Sequence, residues 1–336
     1  MSAASRKVVI AGASGFMGRH FAEHFRAGGA EVVTIGRSAP VRSGQSAVRW
    51  GQTTVRWGQT ADMTDLLEDS DLLVNLAGKS VNCRYSAANR AEILRSRVDT
   101  THELAEAIRA CETPPALWVN SSTATIYRHA EDRPMTESTG ALGEGFSVEV
   151  AKAWESAFFA GELPGTRRVA LRSAIVLGRG GALTPMLRLA RFGLGGPQLD
   201  GHWMSTKARR AAGTFHDFRA RGGRQKFSWI HIDDVLGIIE FLIREDGLDG
   251  VFNAASPNPT DNRTLMRTIR KVLGIPAGLP AFRWITELGA IGIRTETELI
   301  LKSRWVVPER LSTARFTFEY PDLEQALRQI VNSSDR

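Results

Sequence analysis

Val8-Val9-Ile10-Ala11-Gly12-Ala13-Ser14-Gly15-Phe16-Met17-Gly18 is the stretch on which the reading of the whole chain turns. Its first four residues form a short apolar run of the kind that makes a buried strand. From Gly18 to Ala27 the apolar period changes, with Phe21 and Phe25 at i and i+4 on one helical face. Between strand and helix stand glycines at every third position. In such a turn Gly12 permits the tight reversal, Gly15 removes a side chain where backbone meets phosphate, and Gly18 lets helix and strand pack closely. The helix start adds free N–H groups and the positive end of its dipole, and Ser14 adds a hydroxyl donor. Gly12, Ser14, Gly15, Phe16, Met17 and Gly18 are therefore expected to cradle the pyrophosphate of a dinucleotide.

Outward from this turn, strand and helix signals alternate. Strands are expected at Glu31–Ile35, Asp71–Ala77, Leu117–Asn120 and Arg168–Arg172, and helices at Ala87–Ala110 and Phe146–Ala160. The succession implies an α/β fold, a Rossmann doubly wound parallel sheet with right-handed crossovers. After about residue 178 the rhythm changes to Gly-rich segments, Trp229-Ile-His-Ile-Asp-Asp234 and later helices. The expected division is a Rossmann domain over 1–178 with a return segment at about 225–255. A smaller C-terminal α/β substrate lobe takes 179–224 and 256–336.

The end of the second strand discriminates between cofactors. An acid there would bind a ribose 2′-hydroxyl; this chain has Gly36-Arg37-Ser38. A guanidinium suits a 2′-phosphate and Ser38 adds a hydrogen bond, so NADP is expected in preference to NAD. Asp62-Met63 is expected to meet the adenine, and Leu76-Ala77-Gly78 to lie beside the adenosine ribose and pyrophosphate.

Composition bounds the setting. The 336 residues are 43% hydrophobic, enough for one large domain or two coupled lobes. Cys83 and Cys111 cannot form a disulfide framework and suit a reducing compartment. No signal peptide or run of about 20 apolar residues stands out, so a soluble, cytoplasmic protein without a membrane partner is expected. The net charge of +7 is local: residues 202–226 contain seven Lys/Arg and one acid, which argues against nucleic acid as partner. That basic segment reads as a mobile or disordered insertion at about 202–223. The repeat Val48-Arg-Trp-Gly-Gln-Thr53 / Val55-Arg-Trp-Gly-Gln-Thr60 likewise reads as a loop insertion.

Several stretches together resemble a known family: Gly12–Gly18, Asn75-Leu-Ala-Gly78, Ser96-Arg-Val-Asp-Thr-Thr101, Ser121-Ser-Thr-Ala-Thr-Ile-Tyr127, Ala153-Trp-Glu155, Leu194-Gly-Gly-Pro197, Trp229–Asp234 and Tyr320-Pro-Asp-Leu-Glu-Gln-Ala-Leu327. The chain resembles the short-chain dehydrogenase/reductase superfamily, in its extended, nucleotide-sugar-epimerase-like branch. Within that branch it is similar to an atypical group, NAD-dependent epimerase/dehydratase-like, with a C-terminal domain of unknown function and a cell-division-inhibitor-like label. The resemblance implies a Ser/Thr, a Tyr and a Lys as the proton-handling set. Thr123 matches the first and Lys152 the last, but Val148 stands where the Tyr belongs.

Valine moves no proton, and three accounts stay open. Another residue supplies it, with Tyr127 as first candidate and Glu149, Cys83 and Tyr85 as others. Alternatively substrate or water handles the proton while the protein orients hydride transfer. In the third account the protein binds NADP(H) without chemistry, as a sensor or regulator. Lys152 keeps a cofactor-binding role under all three. Arg172 and Ser173 end a strand at the crevice, positioned for substrate contact or for structure. His231, Asp233 and Asp234 are too closely spaced for a metal site, and the two acids are expected to cap a helix beginning at Val235. The overall expectation is an NADP(H)-dependent oxidoreductase or epimerase-like enzyme for a small polar carbonyl, imine or sugar-like molecule, as monomer or homodimer.

Overall fold

The computed structural model describes residues 6–37, 54–216, 218, 220–292, 296 and 298–333. Through the first half, β1 (Lys7–Ala11), α1 (Phe16–Ala27), β2 (Glu31–Gly36), β3 (Thr54–Arg56), α2 (Thr60–Leu67), β4 (Leu72–Asn75), α3 (Ala87–Ala110), β5 (Leu117–Asn120), α4 (Phe146–Phe159) and β6 (Arg167–Ser173) follow one another. These strands and β10 (Gly250–Ala254) form one seven-stranded sheet in the order β10-β6-β5-β4-β1-β2-β3, parallel throughout.

The strand composition explains the layers. Val8–Ala11, Leu72–Val74 and Leu117–Val119 are almost fully buried, as strands covered on both faces must be. One face packs Val8, Ile10 and Val74 against Phe21 and Phe25 of α1 and against α7 (Ile232–Arg244). The other packs Val9, Leu73 and Trp118 against Met63 of α2, Leu104 and Ile108 of α3 and Phe158 of α4. Strand order reverses between β1 and β4, which opens a crevice outside the C-terminal strand ends.

Beyond β6 the chain builds a lobe. β7 (Ile175–Leu177) pairs in parallel with β9 (Trp229–His231), and β8 (Lys226–Phe227) pairs antiparallel with β11 (Thr260–Asp261). Its helices are α5 (Leu183–Arg191), α6 (Lys207–Ala211), α8 (Asn262–Leu273), α9 (Arg283–Gly292), α10 (Glu298–Leu301), α11 (Glu309–Thr313) and α12 (Leu323–Asn332). Leu177, Trp229, Leu265, Ile269 and Leu327 form a separate apolar core here.

Two sequence expectations need correction. The second copy of the repeat is not a loop insertion. Val55-Arg56 belong to edge strand β3, which pairs in register with β2, and Thr60 begins α2; the first copy, Val48–Thr53, lies outside the described residues. The described residues of the basic segment form an element and contacts of their own. Thr206 caps α6, Arg209 lies 3.4 Å from Glu296, and Phe218 stacks between His129 and His216 at ring distances of 4.8 and 5.1 Å. Its cohesion is ionic and aromatic, which an apolar-period reading does not register. The helix expected from Val235 starts at Ile232, and its cap is His231, whose Nδ1 accepts from the Asp233 N–H.

Candidate functional site

The glycine turn is shaped by close backbone approach. Gly12 has φ +83°, and a Cβ there would stand 2.9 Å from the Leu76 carbonyl and the Ala77 nitrogen. A Cβ on Gly18 would stand 2.6 Å from Ala13 Cα and the Gly12 oxygen. Gly15 differs: its nearest neighbour would be the Gly12 oxygen at 3.4 Å, so the turn is open on that side. Gly15 is also the residue before α1, and no side chain caps that helix end. An open, cationic-ended cradle of bare backbone fits a pyrophosphate. The Phe16 ring turns elsewhere, against Gly178, Gly180 and Gly181, where added Cβ atoms would come within 3.3 Å of it. Met17 lines a narrow crevice with Leu76, Ser121 and Ser173 at the strand ends. Ser14 is exposed, and its carbonyl accepts from Arg19 at 2.5 Å.

Leu76-Ala77-Gly78 lie against this turn because Asn75 holds them. Fully buried, its Nδ2 donates to Asn120 Oδ1 at 2.8 Å while its Oδ1 accepts from the Ala77 N–H at 3.1 Å. Sequence reasoning passed over this pair; its signal was an asparagine closing each of two apolar runs. Arg37 is exposed at the end of β2, and Ser38 lies outside the described residues. The adenine expectation for Asp62-Met63 needs correction. Both sit within α2, where Met63 is fully buried in the sheet–helix core and Asp62 accepts from Gln59. The residues leaving β3 are Trp57-Gly58-Gln59 instead.

Thr123 follows β5, half-buried, its Oγ1 accepting from the Thr125 N–H at 3.1 Å. Lys152 lies on α4, partly exposed, with Nζ 3.0 Å from Glu149 Oε1. Val148 is fully buried. A buried pair ties the two regions together. Arg172 of β6 grips Glu155 of α4 through two bonds of 2.9 and 2.7 Å, and Ser122 donates to the same carboxylate at 2.5 Å. Glu155 is one helical turn beyond Lys152, and Ser122 precedes Thr123. Arg172 thus has structural partners where substrate contact was one expectation.

Tyr127, the first candidate for the missing proton, belongs to this framework. It is 1% exposed; its hydroxyl donates to Asn253 Oδ1 at 2.9 Å and accepts from Arg172 at 2.9 Å. Burial pushes its pKa up despite Arg172. Of the other candidates, Glu149 is taken by Lys152, and Cys83 points its thiol to the Ser80 carbonyl. Tyr85 is buried with its hydroxyl 3.3 Å from Ser147, and burial raises its pKa strongly.

Comparison with known proteins fits this geometry. The family described as NAD dependent epimerase/dehydratase matches residues 8–255. The chain belongs to that family. A second match, a domain of unknown function (DUF1731), covers residues 281–330. The chain is 31% identical over 334 residues to the bovine epimerase family protein SDR39U1, covering 97% of this chain and 99% of the bovine one. It is 29% identical to YfhF of Bacillus subtilis, with coverages of 96% and 97%. Human SDR39U1 in complex with NADPH superposes with a TM-score of 0.79 at 28% identity, covering 97% and 99% of the two chains.

In this epimerase-family chain the C-terminal domain reaches back to the strand-end crevice, a feature sequence reasoning missed. Lys302 donates to the Thr125 carbonyl at 2.8 Å, beside Thr123. Glu298 accepts from Ser147, the neighbour of Val148, at 2.7 Å and lies 3.2 Å from His216. Burial alone would raise the Glu298 pKa, but His216, Lys302 and Ser147 hold it down at about 2. His231, Asp233 and Asp234 each have partners of their own: Gln329, His20, and the N–H groups of Glu319 and Tyr320. Among the described residues no helix is long and apolar enough to cross a membrane.

Proposed function

We propose that the protein is an NADP(H)-dependent oxidoreductase or epimerase-type enzyme acting on a small polar carbonyl, imine or sugar-like molecule. The open side of the Gly12–Gly18 turn, at a helix end without a side-chain cap, carries this reading. The NADPH in human SDR39U1 supports it. Gly12, Ser14, Gly15, Phe16, Met17 and Gly18 would hold the pyrophosphate, Leu76-Ala77-Gly78 the adjoining ribose, and Arg37 with Ser38 the 2′-phosphate. When bound, the nicotinamide supplies or accepts a hydride. Thr123 offers its hydroxyl to the substrate oxygen, and Lys152 holds the nicotinamide ribose and places positive charge near that oxygen. Val148 carries no proton, so proton delivery falls to solvent or to the substrate itself.

The test is isotope transfer from NADPH deuterated at nicotinamide C4 to a panel of small carbonyls, imines and nucleotide sugars. Transfer that falls about 10²-fold or more in Thr123→Ala and in Lys152→Ala is expected; transfer unaffected by both would remove the site assignment. Arg37→Asp is expected to reverse the preference for NADPH over NADH. A second reading, a non-catalytic NADP(H)-binding regulator, is favoured by Val148 and the engaged Tyr127 hydroxyl. It predicts tight NADPH binding with no transfer to any member of the panel.

A further inference from the structure

Large apolar side chains are exposed very unevenly. Of the eleven such side chains exposed among the described residues, nine fall between Leu189 and Met204 or between Leu279 and Leu288. Phe192, Met204 and Leu279 are 82%, 84% and 67% exposed, and Trp284 and Leu288 are each 55% exposed. The two segments are neighbours. The Leu279 N–H donates to the Gly193 carbonyl at 2.8 Å, and the N–H groups of Gly196 and Leu199 donate back to the carbonyls of Leu279 and Ala281. Gly201 approaches Arg283 at the start of α9. The end of α5, the paired loops and the outer turns of α9 therefore form one apolar edge of the lobe, larger than scattered surface residues would make.

Charge within these segments is predominantly of one sign. Residues 183–213 and 262–288 contain ten Lys/Arg against two carboxylates, Asp200 and Glu287. Both carboxylates are buried against Arg283, at 2.8 and 2.7 Å, so neither presents charge to solvent. Arg188 and Arg191 flank Leu189 and Phe192 in the chain and are exposed, as are Lys207 and Arg267 in the same two segments. A second copy of this chain would bring like charges together across a self-matched face, which costs association energy. A nucleic acid would leave exposed aliphatic Leu and Met against phosphate. An anionic bilayer surface satisfies both features at once: headgroups take the guanidinium and ammonium groups, and the acyl boundary takes Phe, Trp, Leu and Met.

We propose that this edge seats the protein on an anionic membrane surface, peripherally and without a spanning helix. The sequence expectation of no membrane partner rested on the lack of a spanning segment, which such seating does not require.

Flotation of the full chain with phosphatidylcholine vesicles, with and without phosphatidylglycerol, at low and high salt, tests this. Retention on the anionic vesicles alone, released by salt, is the expected result. Phe192→Ser combined with Trp284→Ser, and separately Arg188→Gln combined with Arg191→Gln, should each lower the partition coefficient about tenfold or more. These positions are exposed, so melting temperatures should match the parent. No retention on anionic vesicles, or equal retention of the variants, overturns the proposal. So does a dimer in light scattering that Trp284→Ser dissociates, or salt-sensitive retention on DNA in place of vesicles.

Discussion

Gly18 and Gly15 separate the two jobs of the glycine turn, and alanine at each should fail differently. At Gly18 the new Cβ would sit 2.6 Å from the Gly12 oxygen and Ala13 Cα, both backbone atoms. Neither can swing aside, and Gly12 is itself bound to the Ile35 carbonyl of β2 at 2.9 Å. Restoring ordinary contact moves α1 or the turn by roughly 0.8 Å, an overpacking that costs about 1–3 kcal/mol. Alanine's better helix propensity returns about 1 kcal/mol. The remainder, at most about 2 kcal/mol, lowers the melting temperature by up to about 3 °C. The same displacement takes turn N–H groups away from a bound phosphate; one such charge-assisted bond lost weakens NADPH binding about ten- to hundredfold. At Gly15 the Cβ meets only the Gly12 oxygen at 3.4 Å, ordinary contact, and φ of −74° suits alanine. Gly15→Ala should therefore melt with the parent yet bind NADPH weakly, because its methyl group occupies the open side. Fluorescence titration of NADPH with parallel thermal melts reads both quantities. Parent-like affinity in Gly15→Ala would place the phosphate elsewhere, and a parent-like melt and affinity in Gly18→Ala would refute the steric argument.

Other outcomes follow from the buried network. Arg172→Met strands the Glu155 carboxylate and should cost about 3–5 kcal/mol in denaturant unfolding, whereas an unchanged midpoint would mean the pair is not the clamp described. Tyr127→Phe removes a hydroxyl that Arg172 and Asn253 share; about 1–3 kcal/mol of stability should go, while transfer activity, where found, persists in the folded fraction. Abolished turnover in stable Tyr127→Phe would restore that residue to the chemistry. Glu298 titrates near 2 in the folded chain against an ordinary value of 4.5, so its stabilisation is complete above 4.5 and is lost as pH falls toward 2. Glu298→Gln should flatten the acid limb of the stability profile over that window, and an identical limb in both proteins would show the carboxylate is not held ionised.

The sheet was legible because its signals are local. Val8–Ala11, the period of Phe21 and Phe25, and the asparagine-ended runs at Leu72 and Leu117 each declare an element within a few residues. Misreadings arose where tertiary contact overrode local pattern. Val55-Arg56 reads as a duplicated loop, but the sheet edge beside Thr34 recruits it as a strand, with the two threonine hydroxyls 2.8 Å apart at Thr34 and Thr54. The basic segment has no hydrophobic period, and the contacts made by its described residues are with His129 and with carboxylates from beyond residue 286. Glu298 and Lys302 could not be placed at the crevice from sequence. They lie more than 140 residues from Ser147 and Thr125, and no short-range pattern encodes that return.

The chemistry of the site then follows from what its acids and bases are already doing. The chain has three tyrosines, and burial raises the pKa of each: Tyr85 beside Ser147, Tyr127 between Arg172 and Asn253, and Tyr320 against His231. A phenol that exchanges protons near neutral pH must be shifted the other way, by adjacent positive charge and access to the reacting atom. Tyr127 has the positive charge without the access. Glu298 is firmly ionised and accepts from Ser147, so it holds no proton to give. With Val148 fully buried, the proposed roles of Thr123 and Lys152 would position and polarise a substrate without a stored phenolic proton to transfer. An enzyme built this way suits substrates whose oxygen or nitrogen exchanges its proton with water unaided, and it is on such substrates that hydride transfer is best sought.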